Sequence, residues 1–146
     1  MEMSKSERTY YFAGSIRAGR EDVDIYSKII KHLKNTGKVL TEHVGDYSLS
    51  LVGQNNLDDT FIHDRDLAWL RKADIVVAET TRPSLGVGYE LAMAATYKIP
   101  IVALHKPEEC SLSAMIAGCR HVEVIEYKEL LDALTHLDGY LESFNG

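Results

Sequence analysis

Thr9-Tyr10-Tyr11-Phe12-Ala13, running directly into Gly14-Ser15-Ile16-Arg17-Ala18-Gly19-Arg20, is the stretch whose reading decides the fold. A β-branched and aromatic run predicts a strand. Its glycines and arginines then predict a loop, and Glu21 to Asn35 predicts a helix with the apolar stripe Val23, Tyr26, Ile30 and Leu33, stopped by Gly37. A strand, a short loop and a helix form the first half of a βαβ unit. The rest of the chain repeats that alternation. Lys38–Val44 reads as a second strand, 45–59 as a long polar loop, Phe61–Lys72 as a helix and Ile75–Ala78 as a buried strand. After a loop with Pro83 and Gly86 come a helix at Val87–Tyr97 and a strand at Ile99–Leu104, whose first residues Pro100 leaves open. Ser111–Ala117 reads as a short helix, His121–Ile125 as a last strand and Tyr127–Phe144 as a closing helix. The expectation is an α/β chain with a mainly parallel five-stranded sheet. Ligands of such sheets bind beyond the carboxyl ends of the strands, here the loops after Ala13, Val44, Ala78 and Leu104.

The 146 residues fit one domain, spanning 1–146, and can bury a sizeable core. With 45% hydrophobic and 26% charged residues, the composition is that of a globular protein. A formal net charge of -6 argues against binding a nucleic-acid polymer, which needs a basic face. It does not argue against one small phosphate, which needs a few local donors. Cys110 and Cys119 are too few for a disulfide framework and read as reduced thiols. The N-terminal residues lack the apolar core of a signal peptide, and no apolar run reaches the length of a membrane span. These features predict a soluble cytoplasmic protein with no membrane partner, nuclear entry being left open.

Two carboxylates interrupt apolar helix faces. Asp66 falls between Ile62 and Leu70, with Trp69 and Ala73 completing the stripe, and no Lys or Arg stands three or four positions away. Only His63 is within that helical reach. Glu90 has Gly86, Val87, Met93 and Ala94 at the same spacings. Burying an unsatisfied polar group costs roughly 1–3 kcal/mol, and a charge costs more. The alternatives are that each caps a nearby loop or pairs with a distant Arg, or that both line one polar pocket. Their position beside glycine-containing loops favours the pocket.

The loop from Gly14 to Arg20 supplies glycines for close backbone approach, the Ser15 hydroxyl and the cations Arg17 and Arg20. It is neither a Walker motif nor GxGxxG. Ser84, Gly86 and Gly88 similarly lead into the helix that carries Glu90. Glu79, at a strand end, reads as an exposed loop carboxylate. His43 ends the second strand and reads as facing the ligand, whereas His32 and His136 read as solvated. Tyr10 and Tyr11 point to opposite faces of their strand, and Trp69 reads as core. The six histidines form neither HxxxH nor HExxH, so no metal is expected.

Taken in order, YFAGSIR (Tyr11–Arg17), TEHV (Thr41–Val44), FIHDRDLAWL (Phe61–Leu70), ADIVVAE (Ala73–Glu79), PSLGVGYELA (Pro83–Ala92) and LSAMI (Leu112–Ile116) resemble the 2'-deoxynucleoside 5'-phosphate N-hydrolases of the nucleoside deoxyribosyltransferase superfamily. The resemblance implies a flavodoxin/Rossmann-like three-layer sandwich and no metal or organic cofactor. It implies Glu90 as the nucleophile at the anomeric carbon, Asp66 as acid or base at the leaving nucleobase, and Tyr11 beside the nucleophile and the deoxyribose. Gly14, Ser15, Ile16, Arg17, His43, Ser84 and Gly86 would line the substrate site, with Ser15, Arg17 and Ser84 on the 5'-phosphate. Ser113 would reach that phosphate from a second subunit, making the working unit a homodimer. Retaining glycoside cleavage needs such a carboxylate nucleophile and a second group for proton transfer. The competing readings are a nucleoside 2-deoxyribosyltransferase, a ribonucleoside monophosphate N-hydrolase and a non-catalytic nucleotide-binding module. Phosphate donors argue against the first, and two carboxylates near an anion argue against the last.

Overall fold

A computed structural model describes residues 7–16, 19–45 and 57–145. Along the chain these form β1 (Arg8–Ala13), α1 (Arg20–Leu33), β2 (Gly37–Val39), a 3-10 turn (Glu42–Gly45), α2 (Asp59–Lys72), β3 (Ile75–Glu79), α3 (Leu85–Thr96), β4 (Ile101–His105), α4 (Ala114–Ala117), β5 (Val122–Glu126), α5 (Leu130–Glu142) and a final 3-10 turn (Ser143–Asn145). The five strands pair in the order β2-β1-β3-β4-β5, and every pair is parallel. β3 (IVVAE) and β4 (IVALH) are buried at every position. That is the pattern of strands covered on both faces.

The period of two in β1 divides the core. Tyr10 and Phe12 face α1 and α5, where they meet Tyr26, Ile29, Leu33, Ala133 and Leu137. Tyr11 and Ala13 face the opposite layer, with Leu70 of α2 and Val87, Leu91 and Ala94 of α3. Helix, sheet and helix make three layers, as expected. The strand order changes direction between β1 and β3, so the crevice beyond their carboxyl ends is the topological switch point. The segments leaving there are Gly14–Ile16 and Thr80–Ser84.

The second strand is shorter than expected. It ends at Val39, and the chain turns into the Glu42–Gly45 3-10 helix instead of continuing to Val44. The reason is Thr41, whose buried hydroxyl donates to the Phe12 carbonyl (2.7 Å) and accepts from the Phe12 N–H (2.8 Å). A side chain thus takes over the ladder that main chain would have supplied. Gly37 opens this strand rather than capping the helix. A Cβ there would lie 2.2 Å from the Arg8 carbonyl oxygen, a contact no other residue could make.

Other boundaries moved as well, most by one or two residues. β4 starts at Ile101 because Pro100 has no N–H; its carbonyl still accepts from Val76 (2.9 Å). The last helix starts at Leu130, and Tyr127 instead finishes the β5 exit, its N–H on the His105 carbonyl (2.9 Å). α4 is reduced to Ala114–Ala117, with Ser113 as its N-cap. α3 ends in a Schellman-type turn in which Ile99 N–H reaches Ala94 and Lys98 N–H reaches Ala95 (both 3.0 Å). Lys98 takes the left-handed position of that turn, φ 60.

Candidate active site

β1 aims Tyr11 at the α2/α3 layer, and the central turn of α3 brings Glu90 to meet it. The Tyr11 hydroxyl donates to Glu90 Oε2. Glu90 is partly buried, and its helical neighbours are the apolar residues read from the sequence. Burial pushes its carboxyl up to about 7; the Tyr11 hydrogen bond opposes that rise and the charge of Asp66 adds to it. Burial likewise raises the Tyr11 phenol far above its usual range, followed by the charge and hydrogen bond of Glu90 and the charge of Asp66, while Arg65 opposes. Tyr11 is therefore held as the protonated donor beside Glu90. Tyr11, Asp66 and Glu90, read as one set, stand together.

Asp66 does have a cation, contrary to expectation. Arg65 Nε donates to Asp66 Oδ1 at 3.0 Å, and Nη2 lies 3.0 Å from the same oxygen. The i±3 and i±4 spacings examined in sequence do not include an adjacent residue, so the pair was invisible there. His63, the one neighbour within helical reach, pairs with Asp64 (2.9 Å) and with the Tyr89 hydroxyl (2.9 Å).

Ser15 is buried at the end of β1, and its N–H donates to the Tyr26 hydroxyl (3.2 Å). Gly14 precedes it where a Cβ would meet the Tyr26 ring at 2.9 Å. Ile16 is exposed. Ser84 caps α3, its Oγ accepting from Val87 N–H at 3.2 Å, and Gly86 lies open in the first turn. Ser113 caps α4 in the same way, on Met115 N–H (3.3 Å). Ser84 and Ser113 line one largely apolar groove of about 760 Å³ between α3 and α4, shared with Arg82, Leu85, Leu91 and Met115. Arg17, and the side chains of Arg20 and His43, lie outside the described residues; the backbone of His43 is in the 3-10 turn.

Glu79 is not exposed. It is buried at the end of β3, where it accepts from Thr81 N–H (2.6 Å), Thr81 Oγ1 (3.0 Å) and the Tyr127 hydroxyl. This carboxylate fixes the loop that delivers Ser84. Its signal in the sequence was its place in an unbroken buried strand, one residue past where that strand was ended. Trp69 is partly buried against the α2/α3 core, and His32 pairs with Asp138 (2.7 Å). Among the described residues, no group of three or more His, Cys, Asp or Glu could hold a metal ion.

The Tyr11 phenol thus donates to a partly buried carboxylate, and a second carboxylate, Asp66, lies close enough to raise it. Residues 10–128 match the family described as nucleoside 2-deoxyribosyltransferase. The chain is 50% identical over 139 residues to the 5-hydroxymethyl-dUMP N-hydrolase of Mus musculus, covering 92% of this chain and 80% of that one. It is 46% identical over 139 residues to the protein of the same name from Homo sapiens, covering 91% and 79%. Its fold matches a Clostridium botulinum CMP N-glycosidase with a TM-score of 0.70 over 91% of this chain and 99% of that one, at 16% identity. The chain belongs to the nucleoside 2-deoxyribosyltransferase family, and it is an N-glycosidase.

Proposed function

We propose that the protein hydrolyses 2'-deoxynucleoside 5'-monophosphates to free nucleobase and 2-deoxyribose 5-phosphate, with Glu90 as nucleophile. The observation that carries this reading is the Tyr11–Glu90 contact beside Asp66. Glu90 attacks the anomeric carbon as the bond to the base nitrogen breaks, and the departing base takes a proton from Asp66. Water then attacks the same carbon and gives a proton back to Asp66, the ester bond to Glu90 breaks, and the carboxylate is restored. The missing 2'-hydroxyl eases positive charge at the anomeric carbon, so a carboxylate can do much of the work. Tyr11 keeps the attacking group oriented.

Ser15 and Ser84, at the two segments that leave the switch point, are the described phosphate donors of this reading. The relatives' names make 5-hydroxymethyl-dUMP the first substrate to try. The groove between α3 and α4 carries Leu85 and Met115, 97% and 84% exposed, which suits a second copy covering it and bringing Ser113 to a neighbouring site.

The test is incubation with a panel of deoxynucleotides, ribonucleotides and deoxynucleosides, detecting free base and sugar phosphate, with Glu90→Gln in parallel. The expected result is deoxynucleotide turnover that the variant lowers by several powers of ten. Near-normal turnover by Glu90→Gln refutes the nucleophile. Equal efficiency on deoxynucleosides favours a deoxyribosyltransferase instead.

A further inference from the structure

Arg65 is placed where helix geometry alone would not put it. Adjacent residues of an α-helix project about 100° apart and do not face each other. Arg65 and Asp66 nevertheless pair, Nε donating to Oδ1 and Nη2 lying 3.0 Å from the same oxygen. What turns the guanidinium back is the aromatic stripe of α2. Its Cζ lies 4.7 Å from the centroid of the Trp69 ring and 5.8 Å from that of Phe61, one helical turn to either side. The side chain is 20% exposed. Its Nη2 is buried with no hydrogen-bond partner, its approach to Oδ1 being a contact of charge without alignment. An arginine that served only the surface would extend into water and satisfy all its donors. This one gives up a donor to hold a single carboxylate oxygen. Its charge is felt as far as Tyr11.

We propose that Arg65 is a positioning residue for the reaction: braced on Trp69 and Phe61, it fixes Asp66 by Oδ1 and so presents Oδ2 to the departing nucleobase. The role rests on the reading of Asp66 as the group that serves the leaving base. It explains why a cation stands one residue from that carboxylate, where it adds little to the helix. The arrangement also predicts a dependence on the leaving group. A base that must gain a proton to depart needs an oriented Asp66; a leaving group stable as an anion does not.

The experiment uses the full chain and two substrates, 5-hydroxymethyl-dUMP and 4-nitrophenyl 2-deoxyriboside 5-phosphate, whose nitrophenolate departs without a proton. Arg65→Met keeps the bulk against the rings and removes the charge, while Arg65→Lys keeps the charge and loses the fork. Arg65→Met should lower kcat on the nucleotide by about a hundredfold, the loss expected when a reacting group is misplaced. KM and the melting temperature should change little, and kcat on the nitrophenyl substrate should be nearly kept. Arg65→Lys should recover part of the loss, and Arg65→Met added to Asp66→Ala should slow that variant no further. Equal losses on both substrates, or additive losses in the double variant, overturn the proposal. An inactive Asp66→Ala beside a fully active Arg65→Met overturns the role of Arg65 alone. A fully active Asp66→Ala overturns the reading of Asp66 on which it rests.

Discussion

Replacing Glu90 by glutamine should stabilise the protein, and should do so more at high pH than at low. Glu90 has its ordinary value of 4.5 in the unfolded chain and about 7 when folded. Below 4.5 both states carry the proton and the difference costs nothing. As pH rises through the window from 4.5 to about 7, the unfolded chain releases its proton first, so ionisation favours unfolding and native stability declines. The full displacement, from 4.5 to about 7, amounts to about 3 kcal/mol at about 1.36 kcal/mol per unit. Between pH 5 and pH 8 the advantage of glutamine over glutamate should therefore widen by about 2–3 kcal/mol. Glutamine fits the same space, and its carbonyl oxygen can still accept from Tyr11. Titrating groups remote from the site are common to the two proteins and cancel in the comparison, while Asp66 and Tyr11, coupled to Glu90, add a smaller change of their own. Urea denaturation of both at pH 5 and pH 8 measures the two differences directly. An unchanged difference would show that the carboxylate is not held against its desolvation, and the account of the site would fail with it.

Other perturbations test neighbouring parts of the structure. Tyr11→Phe removes the donor that restrains Glu90, so the acid limb of the pH–activity profile should move above about 7, and kcat should fall about 10- to 100-fold, as for a hydrogen bond to a charged group; an unmoved limb refutes the contact. Ser113→Ala should weaken use of the nucleotide, by about 1–2 kcal/mol, far more than use of the deoxynucleoside. In a mixed dimer of Ser113→Ala and Glu90→Gln chains, the one active Glu90 should regain the wild-type KM, and failure to do so would place the serine in its own chain's site. Lys98→Gly should raise stability by about 0.5–1 kcal/mol, because only the left-handed strain at φ 60 is relieved; a lower melting temperature would refute that.

The sheet and its helices were legible because burial on both faces leaves a direct record in composition. IVVAE and IVALH cannot be amphipathic strands, and the Val23–Tyr26–Ile30–Leu33 spacing fits a helix. Where side chains replaced backbone partners, the record was lost: nothing about Thr41 in the linear chain says that its hydroxyl will bond to Phe12 and end the strand. The candidate site divides the same way. Glu90 and Asp66 stood out because each breaks an apolar stripe, which is a local contradiction. Glu79 contradicts nothing locally, since a carboxylate at a strand end is ordinary, and only Thr81 and the distant Tyr127 make it a buried anchor. Arg65 was hidden because its partner is adjacent and its orientation is set by two rings a turn away.

The early end of β2 bears on how copies of this chain can meet. A sheet edge is a template on which another chain can add a strand. On one side that template is only Gly37–Val39, after which the backbone turns away. On the other, β5 carries the exposed carboxylates Glu123 and Glu126, so two such edges repel each other. Neither margin invites growth of the sheet from one molecule into the next. The dimer proposed above would therefore meet through the groove between α3 and α4 and close on itself, without fibre-like stacking of sheets.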